Sequence, residues 1–182
     1  MKKIIFILFF WKILTLTSYA QIVYIDMNLI LKNSEVGKTL TEKINQLNNN
    51  HIVKFREIEN KLIAKEKTLL AQKNILDNSE FEKRLTSLSE EIKKFRNDKK
   101  MSETNINKIK IENTKEILKL LNPIITNYVE ANAISLVMPK KNIIVGKKNL
   151  DITDQIINLL NKNAKNLKIL KWKICSSKKK II

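Results

Sequence analysis

The residue types able to do covalent or metal chemistry are scarce in this chain and do not cluster. It holds one histidine, His51, and one cysteine, Cys175. Neither a nucleophile–base pair nor a His/Cys ligand set has the members it needs. The two glycines, Gly37 and Gly146, are far apart, so no glycine-rich phosphate loop exists. Asp26 closes a short apolar run and Asp151 precedes the last helical stretch, and both read as turn or cap carboxylates. The chain is therefore not expected to be an enzyme or to use a metal or cofactor. What remains is charge. Lys83, Arg84, Lys93, Lys94 and Arg96 recur at helical spacing and could face an acidic polypeptide or an anionic surface. The same pattern is also the ordinary solvated face of a long helix.

The formal net charge is +17, unevenly spread. "MKKIIFILFFWKILTLTSYA" has a basic start, an apolar stretch and small residues at its end, the signature of a signal peptide over residues 1–20 cleaved between Ala20 and Gln21. Lys12 interrupts the apolar run, which argues against a retained span of about 20 apolar residues. No cysteine follows the small residues, so a lipid anchor is not expected. The expected compartment is the periplasm. One cysteine excludes an internal disulfide. From Gln21 to Asn161 the chain carries 24 basic and 18 acidic residues, while from Lys162 onward it carries eight Lys and no acid. The basic tail, residues 163–182, intersperses Lys with Leu167, Ile169, Leu170, Trp172 and Ile174. It reads as an extension of the last helix, a binder of anionic membrane lipid, or an unstructured tail. Export makes nucleic acid an unexpected partner.

These charges sit on a simple series of elements. Ile22–Met27 is β-branched and aromatic and reads as a strand, followed by a helix capped by Asn33 or Ser34. Val36, Leu47, Ile58 and Leu69 are eleven residues apart. An eleven-residue repeat keeps an apolar stripe nearly straight along a helix of about 40 residues, roughly 60 Å long. Ser79 and Glu82 form the S-x-x-E pattern that predicts a second helix starting there, with the tip near 77–80. That helix follows a heptad in which Lys99, Ser102 and Asn113 take core-type positions, so its seam looks loose. Asn122–Pro123 predicts either a new helix start or a kink. "ISLVM" and "NIIVG" then read as a β-hairpin, and Thr153 as the cap of a last helix.

The expected fold class is α+β, mostly α. A small β body would combine the N-terminal strand (residues 21–33) with a C-terminal hairpin and last helix (133–162), and a long antiparallel helical-hairpin arm (34–132) would project from it. Three short strands bury little and leave open edges, which points to an oligomer that joins sheets through Val23, Ile25, Leu136, Val137, Ile143 and Ile144.

The order of elements and the phrases "IVYIDMNLIL", "LLNPIITNYVEANAISLVM" and "NIIVGKKNLDITDQIINLLN" resemble the Skp/OmpH family of periplasmic chaperones over Ile22 to about Lys162. The resemblance implies a homotrimer whose arms surround a cavity and hold unfolded outer-membrane proteins without ATP. Family members often carry a glycine between the last long helix and its strand, where this chain reads "EANAIS", and they usually stop near Lys162. Two other readings stand beside this one: an exported structural coiled coil, and an envelope protein that binds anionic surfaces.

Overall fold

The computed structural model describes residues 20–166. The expected signal segment up to Tyr19 and the tail beyond Asn166 lie outside the described residues. Strand β1 (Gln21–Ile25) is followed by a short helix α1 (Met27–Asn33) and two long helices, α2 (Glu35–Ala71) and α3 (Asn78–Ala131). Strand β2 (Ile134–Pro139) and helix α4 (Thr153–Asn166) complete the order.

Each boundary has a local cause. Asp26 ends β1 and turns the chain into α1, its Oδ1 accepting the Leu29 amide at 3.0 Å. Ser34 is buried and serves two helices: its amide closes α1 onto the Ile30 carbonyl, and its Oγ accepts the Gly37 amide at 3.2 Å in the first turn of α2. Gly37 is required there, because a Cβ would lie 1.7 Å from the Leu31 carbonyl oxygen. At about 1.5 Å per residue α2 is roughly 55 Å long and α3 roughly 80 Å.

The expected capping box at Ser79 and Glu82 does not form. The chain leaves α2 through a tight turn in which the Leu76 amide bonds the Gln72 carbonyl. The ladder of α3 then starts at the Asp77 carbonyl, which accepts from Phe81 at 2.9 Å. Ser79 thus falls inside the first turn instead of at its cap. Pro123 neither starts nor ends a helix, for α3 runs through it. Pro123 is exposed, so the carbonyl its ring deprives of a partner can turn to water.

The sheet has two strands, and they are parallel. Ile22 faces Leu136, Val23 faces Val137 and Ile25 faces Pro139. Parallel pairing needs a crossover, and here the whole arm is that crossover. The expected β-hairpin is a correction. Pro139 is followed by a single 3₁₀ turn (Lys140–Asn142), and residues 143–147 form no strand. The edge of β1 away from β2 is taken by Asp151 and Ile152, the Ile152 amide donating to the Tyr24 carbonyl at 3.1 Å. The 140–150 loop instead folds over the Tyr24 ring. Tyr24 Oη donates to the Lys147 carbonyl at 3.2 Å, and a Cβ on Gly146 would lie 2.8 Å from the ring.

The core lies under the sheet, between α1, α4 and the body ends of α2 and α3. Val23, Ile30, Leu121, Ile156 and Leu160 are fully buried in it. Thr153 Oγ1 accepts the Asp26 amide at 2.9 Å, which ties the start of α4 to the end of β1.

Candidate functional site

The arm is held by a seam that changes character along its length. Near the body it shares the main core through Val36, Leu40, Ile44, Ile106 and Ile117. Near the tip Leu62, Leu69 and Leu88 form a second cluster with Ile58, Phe81 and Ile92. Between the two the seam is polar. His51 Nδ1 lies 2.9 Å from Ser102 Oγ and Nε2 lies 3.4 Å from Glu103 Oε1, while the ring packs 4.6 Å from Phe55. Lys99 stands over the Phe95 ring, and farther toward the body, between Ile106 and Ile117, Asn113 donates to the Ile109 carbonyl at 2.7 Å. The three polar seam positions therefore have partners, and no buried side-chain polar atom among the described residues lacks one.

Apolar side chains also lie off the seam. Ile52, Ile63 and Leu70 on α2 are 49%, 44% and 60% exposed. The steps of eleven and seven residues bring them to one angular position, so they form a row of about 27 Å along the helix. The row ends at a cleft beside the tip, lined by Leu69, Leu70, Phe81, Leu85, Leu88 and Ile92 and enclosing about 310 Å³. Lys93 and Arg96 stand at this cleft. Lys83, Arg84 and Lys94 are exposed but do not line it. Arg84 is engaged elsewhere, by Glu80 at 2.8 Å and Gln72 at 3.1 Å, and its guanidinium holds the Glu80 carboxyl below the usual carboxylate range. The sequence signal for the row was present as a second eleven-residue step, from Ile52 to Ile63, hidden beside the stronger seam.

The expected assembly residues divide into two groups. Val23 and Ile25 are buried in their own chain's core, in one cluster with Ile156 and its neighbours. Val137 is half-buried against the same core, and Ile143 is half-buried in the loop. Leu136 and Ile144 do face outward, at 50% and 100% exposure. Two residues not singled out in the sequence join them: Ile22, opposite Leu136 on the sheet, and Val145. Among the described residues the outer edge of β2 pairs with nothing.

The loop carrying Ile144 is pinned at both ends. Lys140 Nζ lies 2.8 Å from Asp151 Oδ2 and stands over the Tyr24 ring. Partial burial works against the Asp151 charge, but hydrogen bonds from Lys140 and Thr153 outweigh it and hold the carboxyl below its usual range. The Asp151 partner raises the Lys140 ammonium above its own. No group of carboxylates, cysteines or histidine among the described residues could hold a metal ion, and no described helix is long and apolar enough to cross a membrane.

These features define a class: a small body on a parallel strand pair, built to carry a long two-helix arm with exposed apolar surface. The family model for outer membrane protein (OmpH-like) matches residues 21–160, so the chain belongs to the OmpH-like family. In structure it is similar to the crystal structure of a candidate outer membrane chaperone (OmpH-like) from Caulobacter crescentus. The TM-score is 0.74 at 14% sequence identity, over 80% of this chain and 86% of that one. A comparison with curated proteins finds no match.

Proposed function

We propose that this protein is a periplasmic holdase chaperone that binds unfolded outer-membrane proteins and keeps them from aggregating without ATP. The observation that carries this reading is the exposed apolar row Ile52, Ile63 and Leu70 leading into the tip cleft. A strand of a membrane β-barrel is apolar on alternate residues and aggregates when unpaired in water. Rows of half-exposed apolar side chains on a helical arm can cover such segments through many weak contacts. Free lysines and arginines beside them draw in acidic stretches, with a strength that falls as salt rises. Membership in a family with an outer-membrane chaperone as structural relative supports the same reading.

The holdase works as a homo-oligomer, a trimer by the family resemblance, whose antiparallel arms enclose the client. The unpaired edge of β2 with its exposed Leu136, and the exposed Ile144 and Val145 on the loop that follows, support assembly through the body. Binding, not catalysis, is its activity. The test is light scattering from a urea-unfolded outer-membrane β-barrel diluted into buffer with rising amounts of this protein. Suppression without ATP that levels off near three chains per client supports the proposal. A folded, oligomeric sample that leaves scattering unchanged rejects it.

A further inference from the structure

The basic tail has no part in the proposed function, and the family match stops at residue 160. Beside its starting point lies an apolar groove. The last turns of α3 and the end of α4 enclose about 470 Å³ between them, walled by Leu120, Ile124 and Tyr128 on one side and by Leu159, Leu160 and Ala164 on the other. Asn127 and Asn163 are its polar members, and no charged residue lines it. Apolar surface left facing water is unfavourable in proportion to its area.

The sequence continues the wall of this groove. Ile156, Leu160, Ala164, Leu167, Leu170 and Ile174 follow one another in steps of four, four, three, three and four. That is the spacing of a single helical face. Lys162, Lys165, Lys168 and Lys173 fall away from it, as do Ile169 and Trp172. Lys171 lies at its margin, where its stem can follow the groove and its ammonium can reach water. The length also suits. The α3 wall from Leu120 to Ala131 spans about 16 Å, and residues 167–174 in helical form would span about 12 Å.

We propose that residues 167–174 dock in this groove, with Leu167, Leu170 and Ile174 against α3, Lys168 and Lys173 turned to water and Lys171 at the rim. The occupant is the chain's own tail. Three facts favour it over an anionic membrane: the groove is uncharged, the tail's apolar face continues the face that forms the groove, and the tail begins at its rim.

Cys175, the only cysteine, provides the test. Asn127→Cys places a second thiol in the middle of the groove wall, at an exposed position that leaves the core intact. Asn158→Cys places one on the exposed, opposite face of α4 as a control. With a short bis-maleimide applied to the full chain, position 127 is expected to link to Cys175 within one chain at least about tenfold faster than position 158. Adding Leu167→Asp and Leu170→Asp, beyond the described residues, should abolish that preference. Equal rates at the two positions would overturn the proposal, as would links that form only between chains. So would loss of the preference with salt-sensitive binding to phosphatidylglycerol vesicles, which would make the tail a membrane-surface element.

Discussion

The fully buried large side chains Val23, Ile30, Leu121, Ile156 and Leu160 all lie in the body, whereas eight large apolar side chains along the arm and its tip are exposed, among them Ile52, Val53, Met101 and Ile111. The body is made of short pieces of chain brought together from distant parts of the sequence, and its contacts close around one core. The arm is two helices with one seam between them, so most of each helix surface faces outward whatever its residue. A two-helix arm cannot bury a second stripe. Apolar residues placed there stay exposed, and this difference separates the part that closes a core from the part proposed to hold clients.

Truncations should show the contrast most strongly. Leu121→Ala in the body core should cost about 3–4 kcal/mol and lower the thermal midpoint of the whole chain. Leu88→Ala in the tip cluster should cost less, about 1–2 kcal/mol, because the seam can close locally and the arm tip can open without the body. Thermal melts followed by circular dichroism measure both. Equal losses would mean that arm and body are one cooperative unit.

Two smaller changes act where the arm joins the body. Ala133 has φ of 50°, a left-handed backbone that suits glycine. Ala133→Gly should therefore stabilise the chain by about 1 kcal/mol, read as an upward shift in the urea midpoint. Asp151→Asn should weaken the loop clasp by about 1 kcal/mol and speed amide exchange over 143–147. The pH dependence of the clasp follows from its shifts. The lowered Asp151 group contributes stability above about pH 4 that is lost as pH falls through its folded value. The raised Lys140 group contributes below about pH 10 and loses it as pH rises past its own folded value. Loop protection should be flat between those limits, and a step near neutrality would contradict the assignment.

Much of the frame was legible because it rests on local chemistry. Ser34 and Asp26 are cap residues whose partners lie within a few positions, and the seam positions Val36, Leu47, Ile58 and Leu69 follow helical geometry alone. Thr153, expected to cap the last helix, instead stands inside its first turn, after Ile152, and its Oγ1 accepts the Asp26 amide. The hairpin was not legible. "NIIVG" has the composition of a strand, but the loop that carries it is held over Tyr24, more than a hundred residues away, by the Tyr24–Lys147 hydrogen bond and the Lys140–Asp151 clasp. Val23 and Ile25 were expected at an interface for the same reason. Strand composition shows that a residue will be covered, and only the packing shows whether its own chain does the covering. The row Ile52, Ile63 and Leu70 was obscured by a stronger stripe of the same period.

The most direct test of the arm as the binding surface is a triple variant, Ile52→Ser, Ile63→Ser and Leu70→Ser, compared with the unchanged protein in the β-barrel aggregation assay. Because the three side chains are exposed, melting temperature and oligomer mass should stay the same. Protection should fall about tenfold or more, since each lost contact removes roughly 0.5–1 kcal/mol of apolar burial. A folded, correctly assembled variant that protects as well as the unchanged protein would show that clients are held elsewhere.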